Sequence, residues 1–169
     1  MPGEFLTEPL HKRHDRKSFS CIEPVLNDYL HKYARLDMER KETAVFVHCD
    51  EDGRVRGYYT LSALHVPRED FSAEVLKKLK LSPYKLKPAT LLGRLAVDQR
   101  CAGRGLGPRL LIDALRRSYY QSEQIGSMAV VVDALHEKAA GFYLKFGFIP
   151  FPDQPLRLFL PMKTVGTLF

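Results

Sequence analysis

The sequence has no tryptophan, only three cysteines, and nowhere the ~18 to 20 consecutive apolar residues that a membrane-spanning helix requires. Cys21, Cys49 and Cys101 are odd in number, far apart and never in a C-x-x-C pair, which excludes a disulfide framework and a zinc clip and suits a reducing compartment. No metal is expected. Residues 1–20 place Glu, His, Lys and Arg where a secretory leader needs an apolar run, so the expectation is a soluble, cytoplasmic chain without membrane association. Acidic residues are also in deficit: 20 Asp+Glu stand against 26 Lys+Arg, a net charge of +6. That balance favours a polyanionic partner or substrate. What remains is ordinary globular material, 45% hydrophobic and 27% charged over 169 residues. Disorder and collagen-like structure fall away, and with no repeat, low-complexity tract or dividing linker the expectation is one domain over residues 1–169.

Hydrophobic periodicity sketches the elements. The run His11 to Lys17 carries four Lys/Arg and no apolar side chain, so it reads as an exposed arm or loop. From Cys21 to about Arg40, Ile22, Val25, Leu26, Tyr29, Leu30 and Tyr33 recur at helical spacing behind Pro24, predicting an amphipathic helix packed on that face. Two β-branched and aromatic runs flank Asp52-Gly53, a hairpin signal. A lysine-heavy helix is expected over 68–81, ended by Pro83 and Pro88. Then come a strand over 89–98, a glycine-rich turn, a helix from about Leu106 to Gln121 and a strand over 128–134. This is a βαβ unit with parallel neighbouring strands. A short helix to Phe146 closes at Gly147, and a last strand covers 156–162.

The turn Arg100-Cys101-Ala102-Gly103-Arg104-Gly105-Leu106-Gly107 follows a strand and opens a helix. Glycines let backbone N–H groups approach a ligand closely, and the helix N-terminus adds unpaired donors with partial positive charge, an arrangement suited to phosphate. Flanking Arg100 and Arg104 could add charge-assisted contacts. A Walker A loop would need Gly-Lys-Ser/Thr where this chain has Pro108-Arg109. A dinucleotide-binding fold would need further βα units and an acidic residue about 20 positions on, and Asp133 comes too late.

The run Arg100, Gly103, Gly105 after Leu-Leu-Gly-Arg-Leu-Ala-Val-Asp is similar to the pyrophosphate loop of GNAT acetyltransferases. Downstream, Ala139-Ala140-Gly141-Phe142-Tyr143-Leu144-Lys145-Phe146-Gly147-Phe148 resembles the closing motif of that superfamily. Leu26-Asn27, Gly57-Tyr58-Tyr59-Thr60-Leu61, Val131-Val132-Asp133-Ala134 and Arg157-Leu158-Phe159-Leu160 extend the likeness to the TacT/AtaT-type toxins of type II toxin–antitoxin modules. The resemblance implies an α/β (α+β) GNAT fold. Its mixed, twisted sheet is splayed between two central parallel strands and flanked by helices, and acetyl-CoA is the co-substrate. The pantetheine arm would bond to the backbone of Leu95, Ala96 and Val97. The pyrophosphate would rest on the turn Gly103, Arg104, Gly105, Leu106, Gly107 and Pro108, proline lacking an N–H of its own. Asp133 stands where superfamily members often carry Asn.

Tyr143 is the candidate general acid for the departing thiolate, since a phenol with a reference pKa near ~10 keeps its proton at neutral pH. A backbone N–H near Val97 is the expected oxyanion donor. No carboxylate or histidine stands out as a general base, with His48 and His65 the nearest options. An aminoacyl ester needs little help, because its α-amine titrates below the ~7.7 to 8.0 of an ordinary α-amino group. This agrees with what the toxin resemblance implies: acetylation of the α-amine of aminoacyl-tRNA, which blocks translation. It also implies a ribbon-helix-helix antitoxin, operator DNA bound through the complex, and a homodimer. Lys77, Lys78, Lys80, Lys85 and Lys87 around Tyr84, with Lys12, Arg13, Arg16 and Lys17, are available for tRNA phosphates. Arg94, within an apolar strand, stands either at the cleft mouth against acceptor-end phosphate or paired with a core carboxylate. Two other readings stay open: acetylation of a small amine or protein N-terminus, and a non-catalytic module that binds acetyl-CoA.

Overall fold

In the computed structural model, which describes residues 4–169, the chain runs through β1 (Glu8–Pro9), α1 (Pro24–Asp28), α2 (Ala34–Glu39), β2 (Ala44–Cys49) and β3 (Val55–Pro67). There follow α3 (Ala73–Lys78), β4 (Leu86–Val97), α4 (Leu106–Ser122), β5 (Ala129–Asp133), α5 (Glu137–Lys145), β6 (Ile149–Phe151), β7 (Gln154–Pro161) and α6 (Met162–Gly166). Among the described residues the strands form one seven-stranded mixed sheet, in the order β1-β2-β3-β4-β5-β7-β6, flanked by helices. The βαβ expectation holds in that β4 and β5, joined by α4, are neighbours. No helix among the described residues is long and apolar enough to cross a membrane.

The chain falls into two compact units. The first holds the described residues up to Ser62 together with Leu92–Arg117. Here β1, β2 and β3 pair antiparallel, with Val47 opposite Tyr58 and Phe46 opposite Tyr59. Alternation along β2 sends Val45 and Val47 into a core with Phe19, Leu30, Ala34, Val55 and Tyr58. Burying each such side chain contributes about 1.5–3 kcal/mol. A polar network ties the N-terminal segment to α4. Asp113 accepts from the Leu6 amide (2.7 Å), the Thr7 hydroxyl (2.6 Å) and the Tyr59 hydroxyl (2.8 Å). Arg117 donates to the Thr7 carbonyl (2.7 Å) and to the Tyr59 hydroxyl (2.8 Å).

The second unit, Ala63–Leu91 with Ser118–Phe169, is built on β5, β7 and β6, with Val131 opposite Phe159. Its core joins Val66, Ala89 and Val131 to three aromatic rings: the centroids of Phe71, Phe151 and Phe159 lie 4.9 to 5.1 Å apart. Such offset and edge contacts add about 0.5–1.5 kcal/mol per pair beyond area.

Several expectations are corrected. The helix expected from Cys21 to Arg40 contains a π turn, Tyr29–Tyr33, between α1 and α2. The wider turn shifts the helical phase. Downstream of it Ala34 rather than Tyr33 joins Tyr29 and Leu30 in the core, while Ile22, which precedes α1, and Val25 near its start are exposed before the π turn is reached. The basic segment His11–Lys17 is not simply an exposed arm. His14 is buried, the Asp15 backbone forms a parallel β-bridge beside Arg54, its amide donating to the Gly53 carbonyl (2.7 Å), and the Arg16 guanidinium donates to the His31 carbonyl (2.7 Å). The helix expected over 68–81 shrinks to α3 behind a short 3-10 turn, because Ser72 caps it by accepting from the Val75 amide and Lys80 takes a left-handed conformation. Pro88 lies within β4, which starts at Leu86 rather than 89, with its carbonyl accepting from the Met128 amide. The strands β1 and β6 and the helix α6 carry too few residues for a periodic signal.

Candidate active site

The glycine turn is organised from beneath by one carboxylate. Asp98, only 2% exposed, accepts through Oδ1 from the Arg100 amide and Nε (both 2.9 Å), and through Oδ2 from the Ser20 amide and an Arg100 terminal nitrogen (both 3.0 Å). Burial by itself would raise this carboxyl, yet the hydrogen bonds from Arg100 and Ser20 outweigh it and hold the group below the ordinary carboxylate value. Arg100 therefore does not turn inward as a free phosphate ligand. Its guanidinium is spent on Asp98 and on the Ser18 carbonyl (3.1 Å). Asp98 and Ser20 were not singled out in the sequence, although the i, i+2 spacing of Asp98 and Arg100 is the signal that could have found the pair.

Above this anchor, Gly103 and Gly105 take φ of +77° and +78°, which L side chains rarely adopt. Their Cβ positions face open space, so the glycines are demanded by backbone conformation rather than by crowding. Alternating left-handed residues turn successive N–H groups to one side, making a concavity for an anion. The amides of Leu106 and Gly107, in the first turn of α4, have no intrahelical acceptor. Arg104 and Pro108 are exposed. What brings α4 so close to the strands is Gly57 on β3: a Cβ there would lie 2.7 Å from the Leu110 side chain, 3.2 Å from the Ala96 carbonyl oxygen and 3.3 Å from the Leu106 side chain. Leu95 and Val97 are half-buried at the end of β4 and Ala96 is buried.

Arg94 does not pair with a core carboxylate among the described residues. Its guanidinium lies 3.4 Å from the ring centroid of Tyr29, a cation–π contact. The Tyr29 hydroxyl donates to Asp37 (2.7 Å), and burial together with that bond pushes the phenol up to about 12. The charge is thus satisfied by an aromatic face that the π turn presents.

In the second unit, α5 starts on a histidine cap, the His136 ring accepting from the Ala139 amide. It ends in a Schellman motif centred on Tyr143. The Phe148 amide donates to the Tyr143 carbonyl (3.3 Å), the Gly147 amide donates to the Leu144 carbonyl (3.0 Å), and Gly147 takes φ +89°. The hydrophobic contact of that motif is the Tyr143–Phe148 ring pair, 5.4 Å apart. The sequence Tyr-Leu-Lys-Phe-Gly-Phe therefore fixes where the tyrosine stands. Its ring is also edge-on to Phe142 (5.1 Å). Burial raises the phenol well above its ordinary value, so it stays protonated through the physiological range.

Asp133, at the end of β5, is held bidentately by Arg157 (2.7 and 2.8 Å), which explains why a carboxylate is tolerated there. His48 donates through Nδ1 to the Leu6 carbonyl (3.1 Å), and His65 is exposed. Of the lysines, Lys77, Lys78, Lys80 and Lys85 are exposed. Lys87 is the exception. At 3% exposure it is buried, its ammonium donating to the Ser82 carbonyl (2.5 Å) and hydroxyl (2.6 Å).

The sequence profile of the acetyltransferase (GNAT) family matches residues 12–148. The chain is 42% identical over 154 residues to the tRNA-acetylating toxin of Mycobacterium tuberculosis, covering 91% of this chain and 90% of that protein. It is similar to AtaT complexed with acetyl-methionyl-tRNAfMet, with a TM-score of 0.88, 32% identity and coverage of 98% and 99% of the two chains. It is also similar to the complex of AtaT with its antitoxin AtaR bound to DNA, with a TM-score of 0.77, 30% identity and coverage of 96% and 98%.

Proposed function

Because the chain belongs to the GNAT acetyltransferase family, we propose that it transfers the acetyl group of acetyl-CoA to the α-amino group of aminoacyl-tRNA, so blocking translation as a toxin. The observation that carries this reading is the joint presence of a left-handed Gly103/Gly105 turn at a helix N-terminus and a buried, protonated Tyr143, in a chain 42% identical to a tRNA-acetylating toxin. The open space around Gly103 and Gly105 fits a diphosphate lying on main-chain amides. Acetyl-CoA supplies an activated acyl group on a sulfur leaving group.

Gly103, Arg104, Gly105, Leu106 and Gly107 hold the pyrophosphate, Pro108 shapes the same turn, and Leu95, Ala96 and Val97 offer backbone groups to the pantetheine amides. Arg100 acts through Asp98, keeping the turn in place. The amine nitrogen attacks the acyl carbon, the C–S bond breaks, and the thiolate needs a proton. Tyr143 is the residue assigned to deliver it. With a reference phenol near ~10 and a thiol near ~8.5, full donation is already uphill, and burial makes it more so. Tyr143 therefore acts as a relay. It passes its proton to the departing sulfur while taking one from the acylated nitrogen, whose ammonium form is far more acidic. The net proton moves from nitrogen to sulfur.

Exposed Lys77, Lys78, Lys80 and Lys85, with Lys12, Arg13 and Lys17, supply the electrostatic attraction for tRNA. AtaT is bound by the antitoxin AtaR, and their complex binds DNA; in the present reading a cognate antitoxin of the ribbon-helix-helix class likewise binds this enzyme, neutralises it and carries it to operator DNA. The free toxin is a homodimer and works in the cytoplasm. The deciding experiment incubates purified protein with labelled acetyl-CoA, charged tRNAs, deacylated tRNAs and a panel of small amines. Label on charged tRNA alone is expected, and label on small amines alone overturns the acceptor.

A further inference from the structure

The loop between α3 and β4 is pinned at both ends. The Ser82 carbonyl accepts from the buried Lys87 ammonium (2.5 Å) and from Arg68 Nε (3.0 Å), the Ser82 hydroxyl accepts from Lys87 (2.6 Å), and the Lys85 carbonyl accepts from the Arg68 amide (2.7 Å). Between these ties the loop raises one large aromatic side chain into solvent. Tyr84 is 75% exposed, and the Lys87 ammonium stands 5.6 Å from its ring centroid, which occupies at most one face. Around it Lys77, Lys78, Lys80 and Lys85 are all exposed, with Glu74 the one acidic residue between Ala73 and Ala89.

An ordinary surface tyrosine sits on a mobile loop or lies down on apolar neighbours. Here a lysine is withdrawn from solvent to brace the loop, and the ring is left standing among cations. That combination of a rigid π face and positive charge suits an unpaired nucleobase flanked by phosphates, since stacking needs a fixed platform and phosphate neutralisation needs lysines that can move. An acidic protein segment would find the lysines equally attractive but would gain little from a bare aromatic face.

We propose that Tyr84 is a stacking platform for an unpaired base of the RNA substrate, with Lys87 as the positioning residue that braces it. The proposal rests on the tRNA reading above and specifies which surface grips the RNA. It is tested with full-length wild type, Tyr84→Ala, Tyr84→Leu and Tyr84→Trp, their folding checked by melting temperature. Two readouts are used: KM for charged tRNA, and quenching of 2-aminopurine in a short single-stranded RNA ending in CCA. Tyr84→Ala and Tyr84→Leu are expected to bind RNA roughly 5- to 150-fold more weakly and to lose the quench, while Tyr84→Trp keeps both and acetyl-CoA affinity is unchanged throughout. Wild-type affinity and quench in Tyr84→Ala overturn the proposal. So does a Tyr84→Leu variant that behaves like wild type, or an effect confined to antitoxin binding. Should wild type acetylate no charged tRNA, the quench and affinity of the single-stranded RNA still decide the platform separately from the acceptor.

Discussion

Asp98→Asn keeps the shape of the side chain and removes one acceptor atom, and the structure sets the size of the effect. Each carboxylate oxygen serves one backbone amide and one guanidinium nitrogen: Oδ1 takes the Arg100 amide and Nε, and Oδ2 takes the Ser20 amide and a terminal nitrogen of Arg100. Whichever position the new NH2 occupies, it faces two donors. One backbone hydrogen bond to a charged group is lost, at a cost of about 1.5–3 kcal/mol. The accompanying guanidinium contact adds little, because the Arg100 side chain is 57% exposed and water screens it. A loss of about 2–3 kcal/mol should lower the melting temperature by roughly 5–10 °C in a chain of this size. Acetyl-CoA affinity, measured by calorimetry, should fall with it as the turn loses its anchor. The pH dependence has a definite sign. Asp98 is held below its ordinary value in the folded state, so its contribution is complete above the unfolded carboxylate pKa of about 3.9 and disappears as pH falls through the lower folded value. The melting curves of wild type and variant should therefore converge in acid. A variant that melts within a degree of wild type at neutral pH and binds acetyl-CoA equally well would refute the anchoring role.

Tyr143→Phe should leave acetyl-CoA binding nearly intact while cutting acetyl transfer by roughly 10²- to 10⁴-fold, and unchanged turnover would remove the phenol from the chemistry. Since burial raises Tyr143, the rate should climb as the amine deprotonates, up to pH ~7–8, and then stay level past the ~10 of an ordinary tyrosine. An alkaline decline in stopped-flow rates starting near pH 9 would show that the phenol is not shielded. Charge reversal at Lys77, Lys78 and Lys80 should weaken tRNA acetylation and flatten its dependence on salt concentration, whereas a salt profile identical to wild type would make that surface a solvated face.

The chemistry-bearing segments were legible because local rules dominate them. A strand, then glycines at 103 and 105, then a helical repeat can be satisfied by few backbone paths, and the left-handed φ at both glycines is a property of the turn itself. Tyr143 is placed by a motif six residues long, with the Gly147 amide closing the helix on the Leu144 carbonyl and the Phe148 amide on that of the tyrosine. The alternation along β2, β3, β5 and β7, and so the mixed architecture, follows likewise from a period that short windows contain.

Charge partners are another matter, because a cation takes whichever acceptor or ring the fold brings within a few ångströms, at any separation in the chain. Arg94 went to Tyr29, 65 positions away, once a π turn had rotated that ring into place. Arg100 went to Asp98 and Ser18 instead of inward to the turn, Lys87 was withdrawn to Ser82, and Asp113 gathered Leu6, Thr7 and Tyr59 from 54 or more positions upstream. The amino-acid order by itself settled the shape of the Gly103–Gly105 turn and the helix end that carries Tyr143. Only the folded chain decided which positive charges are neutralised within it and which remain for a polyanion, since that depends on distances the backbone path creates.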